Sequence, residues 1–266
     1  MKEYFRGIAH FFKAFEFIFK NGLAYYYIFP IIIAVIYYMF LFGFLFTYSV
    51  DLFTSILRPY IPKNISLPTN TPDWLTWLKE ISLLGITGFL LGLAVLLFAF
   101  KFTKYFVLII MSPIFSLLSE KVEEKLSGQI YPFDFVQFLK DIARGTIISL
   151  RNMLIETAWI IIFWFVGLFI GPFNLILTPV LFLISAYFFG FSMMDYSCER
   201  KRMGIREGIR YIRRNRLFAM GIGTMYALLD FVPIIGFTIG PVNALVGAGV
   251  GIEEKEMEKR TMGSNP

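Results

Sequence analysis

Two patterns in this sequence are equipped for chemistry. The first is a run of cations. Arg200, Lys201, Arg202, Arg206, Arg210, Arg213, Arg214 and Arg216 follow one another with only Glu199 and Glu207 to oppose them. Such a run holds anions, and three occupants come into question: an anionic lipid surface, a small dianion concentrated at a mouth, or nucleic acid. No nucleic-acid motif accompanies the run, so the last is set aside, and a lipid anchor over residues 200–216 is the favoured reading. The second pattern is a polar stripe. Ser112, Ser116, Ser119 and Glu123 recur at i, i+4, i+7 and i+11, with Glu120 beside them. On a helix they share a face, which is either a small-residue packing seam or the wall of a polar path. Asp230 stands alone in an otherwise uncharged stretch. A carboxylate at membrane depth is a functional candidate, against the plainer expectation that it caps a turn.

Other chemistries are excluded. One Cys (Cys198) rules out a disulfide framework or a cysteine-based metal site within the chain. One His (His10) rules out chemistry that needs two imidazoles, and His10 reads as structural or lipid-facing. No H-E-x-x-H, G-x-S-x-G or G-x-x-x-x-G-K-[ST] occurs. The expectation is a protein without enzymatic activity, resident metal or cofactor. Gly247, Gly249 and Gly251 read as close helix packing.

The elements that must position these groups are membrane helices. Of the 266 residues, 57% are hydrophobic and 17% charged, against about 25% charged in soluble domains; mean hydropathy is +0.67. Charge-free runs mark a first span at 22–50 and a second starting at 81, whose helix continues as a cytoplasmic extension to 126 (81–126 in all) and is kinked at Pro113. Two further apolar runs, 157–194 and 217–252, are punctuated by Gly171-Pro172 and Pro179, and by Pro233, Gly236 and Gly240-Pro241. Their halves are short, so they predict helical hairpins that penetrate only part of the bilayer and need a packed bundle or an oligomer around their tips. Residues 1–20 form an amphipathic interfacial helix with Phe5, Ile8, Phe12, Phe15 and Phe19 as its apolar stripe. Residues 1–255 make one membrane domain and 256–266 a polar tail. The reading is an all-α integral membrane protein.

Of the 25 Lys and Arg residues, only Arg58, Lys63 and Lys79 fall between the two spans. The positive-inside rule then predicts both termini and 200–216 in the cytoplasm, with 51–80 outside. Pro59, Pro62, Pro68 and Pro72 stiffen that outer loop, and Trp74 and Trp77 suit the interface.

Several motifs occur in order: Asn21-Gly-Leu…Ile28-Phe-Pro30, Asp73-Trp-Leu-x-Trp77, Ser112-Pro-Ile-Phe…Ser119-Glu-Lys-Val-Glu123…Gly128, Asp195-Tyr196, and Val232-Pro-Ile-Ile-Gly236…Gly240-Pro-Val242. Together they resemble the CysZ-type sulfate permease family, which includes the etoposide-induced 2.4 proteins of eukaryotes. The likeness runs from about residue 5 to 255. It implies two long transmembrane helices, two half-penetrating hairpins, homo-oligomeric assembly, a bacterial inner membrane and sulfate uptake feeding cysteine synthesis. It also implies an oxyanion at the start of the first span, on Lys20, Asn21, Gly22 and Leu23. Where sulfate-transporting members carry Arg-Arg, this chain has Ala24-Tyr25. The alternative is a structural or lipid-interacting membrane protein on the same fold.

Overall fold

The computed structural model describes residues 1–57, 59, 88–93, 95, 105–106, 108–128, 134–170 and 174–263. Its helices, in chain order, are α1 (Lys2–Lys20), α2 (Ile28–Phe40), α3 (Thr47–Leu57), α4 (Ser112–Ser127), α5 (Phe135–Ile170), α6 (Asn174–Arg200), α7 (Ile205–Arg214), α8 (Arg216–Leu229) and α9 (Pro233–Gly263). A 3-10 turn, Ala24–Tyr27, precedes α2, and a π-helical turn, Leu41–Phe46, precedes α3. Among the described residues all regular structure is helical. The chain divides into two units, Met1–Ala34 with Tyr105–Pro266, and Val35–Lys104.

Within the smaller unit, Phe46 meets Phe89 edge-on, with ring centroids 6.0 Å apart. Gly92 lies so close to Val50 that a β-carbon there would fall 2.6 Å from its Cγ2. Ile36, Met39 and Phe40 are exposed, as a lipid-facing helix requires. The expected outer-loop residues Arg58, Lys63, Lys79, Trp74 and Trp77 lie outside the described residues, as do 81–87 of the second span.

The larger unit is built on helices that touch at glycine. A β-carbon on Gly190 of α6 would fall 1.9 Å from the Ala219 carbonyl oxygen of α8. One on Gly221 of α8 would fall 2.0 Å from the Tyr4 oxygen of α1. Such contacts bring backbones together, a recurrent device of membrane helices. Phe11, Phe115, Leu118, Phe191, Met194 and Tyr226 fill the space around them and are buried. Gly247 and Gly251 lie against His10 and Phe218, so the glycine run serves close packing as expected.

Helix α1 has two faces. Phe5, Phe12 and Phe19 of the predicted apolar stripe are exposed, in keeping with an interfacial helix. The opposite face, Gly7, His10, Phe11, Ala14 and Ile18, is buried against the protein. His10 is structural: Nδ1 donates to the Arg6 carbonyl at 2.7 Å and Nε2 bonds Glu254 at 2.8 Å.

The hairpins differ from expectation. Helix α5 has 36 residues and α6 has 27, about 54 and 40 Å of rise. The first hairpin therefore extends well beyond 157–194, because charges that marked its limits are paired inside it. Arg144 pairs with Asp195, and Glu156 accepts hydrogen bonds from Tyr105 and Ser185. Shortness no longer argues for partial penetration there; α5 and α6 are long and apolar enough to cross a membrane. Pro179 lies within α6 without ending it, just past the first turn, at the loss of one backbone hydrogen bond. In the second hairpin the turn falls at Asp230–Val232, and α9 begins on Pro233 and runs on through Gly236 and Gly240-Pro241. Proline suits a first helical position, and Gly240 leaves room for the Tyr226 ring. Residues 256–263, expected as a polar tail, continue this helix, held to α1 by Arg6–Glu258 at 2.9 Å and, from the same last turns, Lys255–Glu3 at 2.7 Å. The expected kink at Pro113 appears as a turn at Met111, with α4 starting at Ser112.

Candidate functional site

The expected anion residues sit where α1 ends. Gly22 has φ 69°. Its N–H donates to the Phe19 carbonyl at 3.3 Å, and the Leu23 N–H donates to the Ile18 carbonyl at 2.9 Å. This is a Schellman cap, for which glycine supplies the left-handed residue. The Asn21 N–H and its side-chain amide both donate to the Phe17 carbonyl, at 3.1 and 2.8 Å. Three of the four residues expected to hold an oxyanion thus already donate to carbonyls of α1, and Leu23 is buried. Among the described residues the Ala24 and Tyr25 N–H groups, one step later, donate to no turn or cap carbonyl, as the first N–H groups of a helix have no intrahelical acceptor. Lys20 is exposed at this junction. Lys121 of α4 lies close enough to act on Tyr25, and Glu120 on Tyr26. Sequence spacing gave no hint that α4 approaches this turn.

The serine stripe is buried: Ser112, Ser116, Ser119 and Glu123 all lie inside. Its members do different things. Ser119 donates to the Ser116 carbonyl at 2.7 Å, a bond within its own helix. Ser116 donates to Asp141 of α5 at 3.3 Å. The Ser112 hydroxyl and the nearby Tyr196 hydroxyl have no hydrogen-bond partner among the described residues, and both lie where Gly145 of α5 leaves space for them. The stripe is a packing seam at Ser112 and Ser119 and a polar contact at Ser116.

Beneath the stripe lies a buried ionic cluster centred on Arg200, the last residue of α6. Its guanidinium bonds Asp141, lies 2.8 Å from Glu120 and 3.7 Å from Glu199. Asp141 is fully buried and accepts a further bond from Gln137 at 2.6 Å. The Arg200 Nε has no hydrogen-bond partner among the described residues. Burial pushes Glu120 up from the usual carboxylate range, Asp141 adding to the rise and Arg200 opposing it. Next to this cluster, Arg144 forks onto both oxygens of Asp195 at 2.9 Å. On the other side Lys201 reaches Glu253 at 2.7 Å and Glu256 at 2.8 Å. Arg200 and Lys201 are therefore internal ion-pair partners, a correction to reading all of 200–216 as a surface anchor. The alternation of acid and base across α4, α5, α6 and α9 satisfies charges that burial would otherwise penalise heavily.

Two cavities meet at this cluster, of about 760 Å3 and about 860 Å3. Arg200, Arg202 and Met203 line both. Lys140 and Arg144 face the first, and Lys201 and Arg260 the second. The chain turns here through a second Schellman cap. Met203 N–H donates to the Cys198 carbonyl at 3.1 Å and Arg202 N–H to that of Glu199 at 2.8 Å, with Arg202 at φ 56°. Asp230 lies at the far end of α8 from this basic turn, as the residue closing that helix. Its N–H donates to the Tyr226 carbonyl at 3.0 Å, and its carboxylate acts on the Tyr226 hydroxyl.

Asp141 and Arg144 escaped sequence reasoning, and Asp195 entered it only as part of a motif. A signal existed: the buried polar residues of α5, Asp141, Ser149, Asn152 and Glu156, recur at helical spacing, the same pattern that exposed the serine stripe.

An all-α membrane protein with internal ion pairs beside open, polar-lined cavities is what these features define. The chain belongs to the family described as sulfate transporter CysZ/etoposide-induced protein 2.4, matching it over residues 10–241. It is 27% identical over 250 residues to the sulfate transporter CysZ of Pectobacterium atrosepticum, covering 91% of this chain and 82% of that one. It is 28% identical over 197 residues to the sulfate transporter CysZ of Pseudomonas paraeruginosa, covering 73% of this chain and 76% of that one.

Proposed function

We propose that this protein is a permease carrying a small oxyanion, sulfate by analogy with its relatives, across the cytoplasmic membrane. It works as a homo-oligomer with both termini in the cytoplasm. The observation that carries the reading is Arg200, a guanidinium that lines two cavities and whose Nε–H has no partner among the described residues. A guanidinium offers sulfate the same forked hydrogen bonds it offers a carboxylate. Under this topology both cavities lie at the cytoplasmic end, where an anion leaving the membrane path exchanges with Glu120 or Asp141 on Arg200 before its release. Of the expected polar path, Ser116 and Glu120, bonded to Asp141 and Arg200, are the proposed lining here.

On the same reading the anion is first collected near Lys20, Asn21, Gly22 and Leu23. The capping bonds shift that contact toward the Ala24 and Tyr25 N–H groups, with Lys20 and Lys121 supplying charge. Contact through ammonium groups in place of two guanidiniums makes the site weak, since each charge-assisted bond contributes about 1.5–3 kcal/mol.

Radiolabelled sulfate uptake into proteoliposomes tests the reading. Wild type takes up sulfate, and Arg200→Lys, which keeps the charge and loses the fork, slows uptake by roughly tenfold or more. Unchanged uptake in Arg200→Lys removes Arg200 from the path. No uptake by wild type over an empty-vesicle control leaves the structural, non-transporting reading.

A further inference from the structure

A third cavity, of about 480 Å3, stands apart from the polar interior. Trp159 of α5, Leu183 and Phe188 of α6 and Met220 of α8 line it, and Arg213 and Arg216 complete its wall. Trp159 and Leu183 are partly exposed on helices long and apolar enough to cross a membrane. The cations here are unlike those around Arg200. Arg151, Arg213 and Arg216 all act on one hydroxyl, that of Tyr187, which also lines the cavity. Among the described residues none of the three is in a salt bridge. Arg151 is held in place by Asn152 at 2.9 Å and lies 5.4 Å from the centre of the Phe191 ring. Arg213 and Arg216 are exposed and Arg151 half-buried, so positive charge converges beside an apolar slot with no salt bridge to neutralise it among the described residues.

We propose that this cavity is a discrete binding site for one anionic phospholipid, its acyl chain along Trp159, Leu183 and Met220 and its phosphate on Arg213 and Arg216. Charge complementarity requires an anion, and the apolar wall requires a hydrocarbon. A free sulfate ion uses only the first; a zwitterionic lipid brings its own cation to the guanidiniums. The site is narrower than a general basic anchor: Arg206 and Arg210, exposed on α7, take no part in lining it.

Quenching of Trp159 tests this. With Trp74, Trp77 and Trp164 replaced by Phe, the full chain is reconstituted in phosphatidylcholine vesicles holding phosphatidylglycerol, with bromine on the acyl chains of one lipid or the other. Two guanidiniums on one phosphate favour the anionic lipid by on the order of thirtyfold. Brominated phosphatidylglycerol should therefore quench at a far lower mole fraction than brominated phosphatidylcholine. Arg213→Gln with Arg216→Gln should abolish the difference, Arg213→Lys with Arg216→Lys should retain most of it, and Arg206→Gln with Arg210→Gln should leave it unchanged. Equal quenching by the two lipids in the Trp159-only protein overturns the proposal, and that comparison needs no arginine variant to fold. So does reversal of phosphatidylglycerol quenching by millimolar sulfate, which makes the site one for a free anion. Failure of both lipids to quench, with Leu183→Cys copies cross-linking, overturns it in favour of a second copy of this chain.

Discussion

Gly223 of α8 lies against Ala186 of α6 so closely that a β-carbon on the glycine would fall 1.7 Å from the Ala186 carbonyl oxygen. The obstacle is backbone, which cannot rotate away. Gly223→Ala must therefore part the two helices, at about 1–3 kcal/mol or more. Thermal unfolding in detergent should show a lower midpoint than for Gly43→Ala, where nothing lies near the added methyl.

The Arg200–Asp141 pair predicts a non-additive response. Removing either charge alone strands the other in the interior, at about 3–5 kcal/mol. Arg200→Met with Asp141→Leu should recover much of that stability while sulfate uptake stays lost. Denaturation midpoints of the two single variants and the double variant decide it; additive losses would show that the pair is not coupled.

Arg202 holds a left-handed backbone, φ 56°, at the turn after α6. That conformation costs a side-chain-bearing residue about 1 kcal/mol that glycine avoids. Arg202→Gly should raise the unfolding midpoint, whereas Gly22→Ala, at φ 69° in the corresponding position of the α1 cap, should lower it.

Two carboxylates should respond to pH with opposite signs. Burial raises Glu254, but hydrogen bonds from His10 and Lys13 outweigh it and hold the group below the usual carboxylate range. Its stabilisation is present above the unfolded value, about 4.3, and is lost as pH falls through the lower folded value. Because Glu254 is partly exposed, the effect is under about 1 kcal/mol. Glu254→Gln should be destabilised at pH 7 and match wild type near pH 3. Burial raises Glu123, with Lys201 opposing. Its favourable contribution is present below the unfolded value and fades as pH rises through the folded one. Glu123→Gln should thus gain relative to wild type between pH 4 and 7.

The proposed topology predicts labelling. Ile205 is exposed and Cys198 is buried, so Ile205→Cys provides a reactive thiol in an otherwise quiet background. A membrane-impermeant maleimide should label it only after the membrane is opened. Labelling of intact cells at 205 would invert the orientation.

Much of this molecule follows from the order of its residues. Composition made it a membrane protein, because so many apolar side chains exceed what a water-soluble core can hide, and charge-free runs of spanning length made it all-α. Helical spacing placed the Phe5–Phe12–Phe19 stripe outward and drew Ser112, Ser116 and Ser119 onto one face, since periodicity is a property of a single helix. Charge marked helix ends poorly. Glu156 and Asp195 read as boundaries because a lone charge belongs in water, yet each finds its partner on another helix, and only tertiary packing creates partners. The same reason hid the role of Arg200, which belongs by sequence to a basic run and by structure to Asp141 and Glu120. The helix junction at Lys20–Leu23 was legible as a junction, but which N–H groups remain free there depends on how α1 closes its last turn. The meeting of Arg151, Arg213 and Arg216 around Tyr187 joins four helices, and no spacing along one chain specifies distances between helices.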